Sequence, residues 1–425
     1  MYLRMAAQAA LMICVVVAPV WAQDNGSSNF ITFDVAAARA LDAAPGLKAA
    51  KQNMRVAAAG LSQARMLPNP RLGLGAENFA GSGPFDGFDQ GEYTVSVEQR
   101  LERGGKRRAR VALAKSDEKI AELLAEQARL DTIHEVRQAY VDVLAAAASL
   151  ANTKVKTTLA EELEATVRRR VQKARDPALA ERRIAVQVLE IRTERDRAQR
   201  QLNLSKRRLS LLWGDERIEF YVNSAELNDV SADFDDVDRS AVHSVPDVML
   251  RTAGIARAEA AVSLETAIGK QDPTFSLGVR HLGESDDVAA IASVSMPIAF
   301  FNTNRGNIER ANAEKRRASL QTEAARRHFS REVTTQRETA RTARFEALAY
   351  RDEIVPMATK ALEAAREGYN RGGFTFLDVL DAQRTLSSLQ SREISALKKY
   401  HLARASLDRL TARFQAPFSN EEAVQ

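Results

Sequence analysis

Apolar positions along this chain follow two periods that alternate twice. From about Lys106 to Lys173, residues such as Ile120, Leu123, Leu130, Ile133, Val136, Tyr140 and Val143 recur at helical spacing with no glycine or proline between them. At about 1.5 Å per residue, that pattern predicts one helix on the order of 100 Å long. Ahead of it lie two short segments in which every second position is apolar, first Leu72, Leu74 and Ala76, then Tyr93, Val95 and Val97. Period two with one apolar face predicts strands. The layout returns with Phe275, Leu277 and Val279, then Ala292, Val294, Met296 and Ile298, then a helical run from about Asn307 to Arg371. Ala44-Pro45 and Val245-Pro246 open the helix before each strand pair, and Asn69-Pro70 and Asp272-Pro273 close it. The chain therefore reads as one duplicated unit, over 23–225 and again over 226–425, behind a leader at 1–22.

Each long helix is expected to turn back on itself. Asp176-Pro177 supplies an N-cap and a proline suited to the first helical position, and a helix then returns to Leu212-Trp213-Gly214. Two stacked helices of about 35 residues, the second of them just before the second strand pair, would match the long one of about 68. In the second unit Gly372-Gly373 breaks the run, and Thr375 with Asp378 opens the return helix as a capping box. On that helix, which runs to about Arg413, Leu389, Ala396, Ala403 and Leu410 recur at sevens, a seam whose small members permit close packing. Asp381 follows Asp378 by three positions, so both carboxylates share a helix face. Two readings stay open for them: a cap beside a solvated charge, or a functional pair of acids.

Composition sharpens this picture. Few glycines, prolines and aromatics among many Ala, Leu, Glu, Arg and Gln residues describe long helices and give a mainly α chain with a small β part. The net charge of +5 is spread among interleaved acids, which argues against a nucleic-acid partner. The one basic cluster is Arg103-Gly104-Gly105-Lys106-Arg107-Arg108-Ala109-Arg110. Arg4, the apolar run Ala6 to Val20 and the small residue ending Val20-Trp21-Ala22 predict a secretory leader cleaved after Ala22. The sole cysteine, Cys14, lies inside that run, so a mature chain starting at Gln23 carries no thiol, disulfide or lipid anchor.

No later segment approaches twenty uninterrupted apolar residues, so any membrane role must be a β-barrel. Strands of about ten residues suit a tilted crossing. Four of them cannot close a barrel, and open edges in lipid leave backbone groups unpaired, so the chain must pool strands with copies of itself. A soluble sheet capping a coiled coil is the alternative. His134, His243, His281, His328 and His401 stand far apart, with no cysteine pair, phosphate-binding glycine loop or nucleophile elbow. The expectation is a protein that is not an enzyme and has no cofactor and no metal site.

These residues together resemble the TolC-like outer-membrane factors, the exit ducts of bacterial tripartite efflux and type I secretion systems. The resemblance covers nearly all of the chain after residue 22. Carrying it are the doubled layout, Gly368-Tyr369 before the tip, the run Phe376-Leu377-Asp378-Val379-Leu380-Asp381-Ala382, and Leu209-Ser210-Leu211-Leu212-Trp213-Gly214. It implies a homotrimer whose strands close one twelve-stranded barrel in the outer membrane of a Gram-negative bacterium, continued into the periplasm by a barrel of α-helical hairpins. It further implies that Asp378 and Asp381 narrow the periplasmic entrance and that Tyr369 helps latch it. Where a well-known member has an arginine in the latch, this chain has Phe374. Docking of a periplasmic adaptor and an inner-membrane RND pump is expected at the two tips, around Asp176 and Pro177 and around Gly372, Gly373, Phe374 and Thr375.

Within the family the chain is most similar to the heavy-metal, CzcC-like branch, through Leu67-Pro68-Asn69-Pro70 and Gln99-Arg100-Leu101-Glu102-Arg103-Gly104-Gly105-Lys106-Arg107. That similarity implies divalent cations as cargo and sets the basic cluster where barrel meets tunnel, beside outer-membrane lipid. Multidrug efflux and type I secretion are the alternatives within the family. A periplasmic adaptor or coiled-coil scaffold is the alternative from another class.

Overall fold

A computed structural model describes residues 29–231 and 245–412. The expected leader with its cleavage site, the leader cysteine, His243 and the end of the return helix at Arg413 lie outside the described residues. The described chain begins with α1 (Phe33–Ala43) and α2 (Pro45–Ala64), followed by β1 (Arg71–Glu77) and β2 (Glu92–Arg100). Then come α3 (Lys106–Gln172), α4 (Ala178–Leu211) and α5 (Pro246–Ile268), with Pro45 and Pro246 each opening its helix. The second strand pair is β3 (Thr274–Leu282) and β4 (Asp287–Ser295), after which α6 (Arg305–Ala349), α7 (Val355–Arg371) and α8 (Phe376–Leu410) complete the second hairpin.

At 67 residues α3 runs about 100 Å. It packs against α4, α5, α2 and α8. Ion pairs fix the antiparallel alignment: Lys156 with Glu194 at 2.5 Å places α4 along the far half of α3, and Arg257 with Asp117 at 2.5 Å places α5 along the near half. The stacking is as expected, but the lengths are unequal, since α4 has 34 residues and α5 only 23. Gly214, with φ +77°, ends α4, and the following segment buries Phe220, Leu227 and Val230 in the core around Tyr140. Apolar side chains that could have extended a helix are used instead to plug the middle of the column, together with α1.

A second departure lies in the long run of the second unit. Instead of one helix, α6 and α7 are joined by a π turn over Tyr350–Ile354. Pro356, at the start of α7, has no amide to donate to the preceding turn, and the widened turn accommodates that loss. The seam of sevens on α8 is present, with Ala396 and Ala403 buried and Leu389 and Leu410 half-buried. Opposite it α6 buries Ala340, Ala343 and Ala347 completely, so the two backbones approach closely.

The four strands form one antiparallel sheet in the order β1-β2-β3-β4, and the β2–β3 pairing joins the two units. They span seven, nine, nine and nine residues, slightly shorter than the expected ten. The register sets Leu72, Val97, Leu277 and Ala292 in one row, and Leu74, Val95, Val279 and Ala290 in the next. This face is bare: Leu74 is 75 % exposed and Leu277 68 %. The other face is polar, with Arg280 bonded to Glu92 at 2.5 Å and to the Thr94 hydroxyl at 3.0 Å. Gly278 on that face lets β3 approach β2, because a Cβ there would lie 2.6 Å from the Val95 carbonyl oxygen. Gly278→Val is therefore expected to cost about 1–3 kcal/mol through overpacking at the joint between the units. Thermal unfolding followed by circular dichroism should show that loss, with β signal melting ahead of helix.

Candidate functional site at the hairpin tips

The two hairpins turn with the same backbone and different chemistry. In the first, Ala174 takes φ +50° and the Arg175 amide donates to the Arg170 carbonyl at 2.9 Å. In the second, Gly372 takes φ +86° and the Gly373 amide donates to the Gly368 carbonyl at 2.8 Å. Both are left-handed helix ends closed by a bond spanning six residues. The match aligns Arg170 with Gly368, Asp176 with Phe374, and Pro177 with Thr375.

Asp176 does not cap α4, as the sequence had suggested. Pro177 occupies the cap position, and no side chain bonds the first-turn amides. The Asp176 carboxylate turns inward instead, receiving Arg170 Nε at 2.9 Å and Nη2 at 3.3 Å, and it also accepts the Tyr369 hydroxyl. Arg170 in turn donates to the Tyr369 carbonyl at 2.9 Å and stacks its guanidinium 4.3 Å from the Tyr369 ring centre. Tyr369 is buried, with Phe376 beside it. This triad ties the end of α3 to the end of α7, one hairpin to the other.

Burial of the Asp176 carboxyl works in the opposite direction, but the hydrogen bonds from Arg170 and Tyr369 hold it below the usual carboxylate range. Burial, and then the bond to Asp176, push the Tyr369 phenol well above its ordinary value.

In the second tip Phe374, half exposed, lies where Asp176 lies in the first, its ring over Gly368. A Cβ at Gly368 would run into that ring at 2.1 Å, so this glycine is required by its neighbour. Thr375 caps α8 in the expected capping box: its Oγ1 accepts the Asp378 amide at 3.3 Å, and Asp378 Oδ2 accepts the Thr375 amide at 2.7 Å. The Thr375 hydroxyl and amide hold the Asp378 carboxyl below its ordinary range. Asp381, one turn on, is exposed, with no hydrogen bond or ion pair among the described residues. The two acids thus differ in role: Asp378 closes the helix, and Asp381 offers a free charge.

Two further residues escaped sequence reasoning. Arg170 is one of three consecutive arginines, and nothing in its spacing singles it out. Gln383, only 3 % exposed in the core below the tip, has neither amide atom within reach of a hydrogen-bond partner in the chain. A buried, unsatisfied amide weakens the packing of α8 at that level. The histidines are dispersed: His134 Nδ1 lies 3.2 Å from the Ala405 carbonyl, His401 Nε2 2.9 Å from that of Leu227, and His281 pairs with Asp286. Among the described residues no cluster of His, Cys, Asp and Glu has the makings of a metal site.

Long hairpins standing on a four-stranded sheet, tied together at their tips and presenting the free Asp381 near the turn, define an outer-membrane factor of the TolC-like type. The chain belongs to the outer membrane efflux protein family, whose model matches residues 36–215 and 229–413. It is 26 % identical over 384 residues to the cobalt-zinc-cadmium resistance protein CzcC of Cupriavidus metallidurans, an alignment covering 90 % of each chain. The fold matches a solved structure of CusC with a TM-score of 0.75 at 17 % identity, over 90 % of this chain and 93 % of that one. It also matches VceC of Vibrio cholerae at 0.73 and 19 % identity, over 89 % and 95 % of the two chains. The family match excludes the adaptor or scaffold reading.

If Asp176 anchors the tie, Asp176→Asn should lower stability by about 1–2 kcal/mol at neutral pH, allowing for partial solvent screening. Because the folded carboxyl titrates below its unfolded value of about 3.9, that contribution is complete above the unfolded value and is lost as pH falls through the folded one. Melting curves of wild type and variant should differ by a constant amount from pH 5 to 8 and converge in stronger acid.

Proposed function

We propose that three copies of this chain assemble into a passive outer-membrane duct that carries divalent heavy-metal cations from a periplasmic adaptor and an inner-membrane RND pump to the exterior. The observation that carries this reading is the sheet: a largely apolar face broken only toward its ends by His281 and Gln99, a polar reverse, and open edges on β1 and β4. In lipid, unpaired edges cost several kcal/mol per group, and pairing β4 of one copy with β1 of the next removes them. Nine residues at about 3.3 Å each reach about 30 Å, enough for a tilted crossing of the apolar band. Three copies of four strands then make a twelve-stranded barrel. The hairpin tips become the periplasmic entrance and the docking surface for adaptor and pump, with Leu179 and Leu377 exposed on the first turn of each return helix. Within this reading the chain is made with a leader cleaved after Ala22 and carries no lipid anchor.

The cargo follows from the similarity to CzcC and from the free acid at the entrance. Three Asp381 carboxylates around an axis favour cations and repel anions. Multidrug export and type I secretion, which would use the same tunnel, remain the competing readings.

Deleting the gene is expected to sensitise cells to zinc, cobalt or cadmium more than to dyes and detergents. A strain sensitive to dyes but indifferent to metals would assign a different cargo to the same duct. Asp381→Asn should lower cation selectivity in planar bilayers without changing trimer stability, whereas Asp378→Ala, which removes the acceptor of the Thr375 amide, should cost about 1 kcal/mol. Gly372→Val, which forces a branched side chain into φ +86°, should reproduce the metal sensitivity while the trimer persists.

A further inference from the structure

Where the sheet meets the helices, the chain gathers charge that its own acids do not balance. Residues 65–71, 98–110 and 270–273 hold nine Lys or Arg against Glu98, Glu102 and Asp272, a net of +6. The whole chain carries +5, so the remainder sums to −1. Two of the three acids are already engaged, Glu102 by Arg110 at 2.7 Å and Asp272 by Lys106 at 2.8 Å. The guanidinium groups of Arg103, Arg107 and Arg108 are exposed and have no carboxylate partner among the described residues; Arg107 Nε donates to the Arg65 carbonyl at 2.8 Å, which leaves its charge unbalanced.

The placement of these cations also contradicts a local rule. They stand at or just before the first turn of α3, the positive end of a 67-residue helix, with no acid in that turn and no side chain capping it. A helix N-terminus attracts anions and disfavours cations. A run of arginines at an uncapped positive end calls for negative charge from outside the chain.

The neighbouring surface identifies the source. Arg103 follows the parity of Val97 and Gln99 down the apolar face, and its Nη1 touches the Met296 sulfur at 3.7 Å. Four and five residues after Met296 come Phe300 and Phe301, 81 % and 96 % exposed, ring against ring at 5.1 Å. An exposed guanidinium against the Met296 thioether, with two bare aromatic rings further along the same segment at the rim of an apolar sheet face, fits a diester phosphate with acyl chains attached and not a free anion.

We propose that Arg103, Arg107 and Arg108, with Phe300 and Phe301, form a binding site for anionic glycerophospholipid in the inner leaflet, one per chain around the barrel rim. The proposal rests on the outer-membrane reading above. The site holds the phosphate against the start of α3 and so anchors the barrel at a fixed depth.

The test is to place the full-length trimer in nanodiscs of phosphatidylcholine and phosphatidylglycerol and count retained lipids by native mass spectrometry, with conductance measured on the same preparation in pure phosphatidylcholine bilayers. Wild type should retain phosphatidylglycerol preferentially, and added salt should erode that preference. The triple variant Arg103→Gln, Arg107→Gln, Arg108→Gln should lose it by roughly 100-fold, at about fivefold per cation. A control that neutralises Arg316, Arg317 and Arg326 on α6 should not. A conducting wild type with no lipid preference, or one whose preference ignores salt, would overturn the site and leave the channel standing. So would equal losses in the triple variant and the control. A wild type that conducts in no bilayer would overturn the outer-membrane reading and the lipid site with it.

Discussion

Burial along one helix governs this architecture. A 67-residue helix has little tertiary support of its own, and an exposed apolar stripe of that length would not persist in water. Against α3 are laid α4 and α5 end to end, α2 beside the sheet, α1 at the middle and α8 from the second unit, and α7 reaches it near the tips through Arg366 and Tyr369. The buried tyrosine at its centre shows how the column is closed. The Tyr140 hydroxyl donates to the Glu226 carboxylate at 2.8 Å and lies 3.3 Å from the Ile31 carbonyl, holding both the N-terminal segment and the connector between units at the same level.

The tips show how duplication separates roles. One backbone turn is used twice, and the residue facing the end of the preceding helix is Asp176 in one copy and Phe374 in the other. The aspartate needs a cation, which Arg170 supplies, and reaches across to Tyr369 of the other hairpin. The phenylalanine needs room, which Gly368 supplies, and leaves the second tip free to present Asp381 to solvent. The tie therefore depends on charge-assisted bonds within a single chain. Each hairpin keeps an unsatisfied buried amide below its tip, Gln187 Oε1 on α4 and Gln383 on α8.

Charge is sorted along the long axis. The helical column mixes signs in ion pairs, the sheet keeps its polar residues on one face, and the excess of arginine collects at the boundary between them. A net charge of +5 reads as a bland surface when averaged over the chain. Its concentration at one level is what gives it physical meaning.

Much of this was legible in the residues. Period and punctuation located both strand pairs, the start and end of α3, the capping box and the glycine turn, because each depends on contacts within a few residues. Of the two chain-level departures, the π turn follows locally from Pro356, whereas the short α5 and the connector before it arise where distant side chains compete with local propensity. Phe220, Leu227 and Val230 bury themselves around Tyr140 in place of continuing a helix. The tip was read only in part. Thr375, Asp378 and Gly372 act on their own neighbours and could be read in sequence, but Asp176 looked like a cap until the fold brought Tyr369 to it across nearly 200 residues, beside Arg170 six positions before it. Local hydrogen bonds and periodic burial are written in sequence order. Which of three arginines meets which carboxylate is decided only when two hairpins are packed side by side.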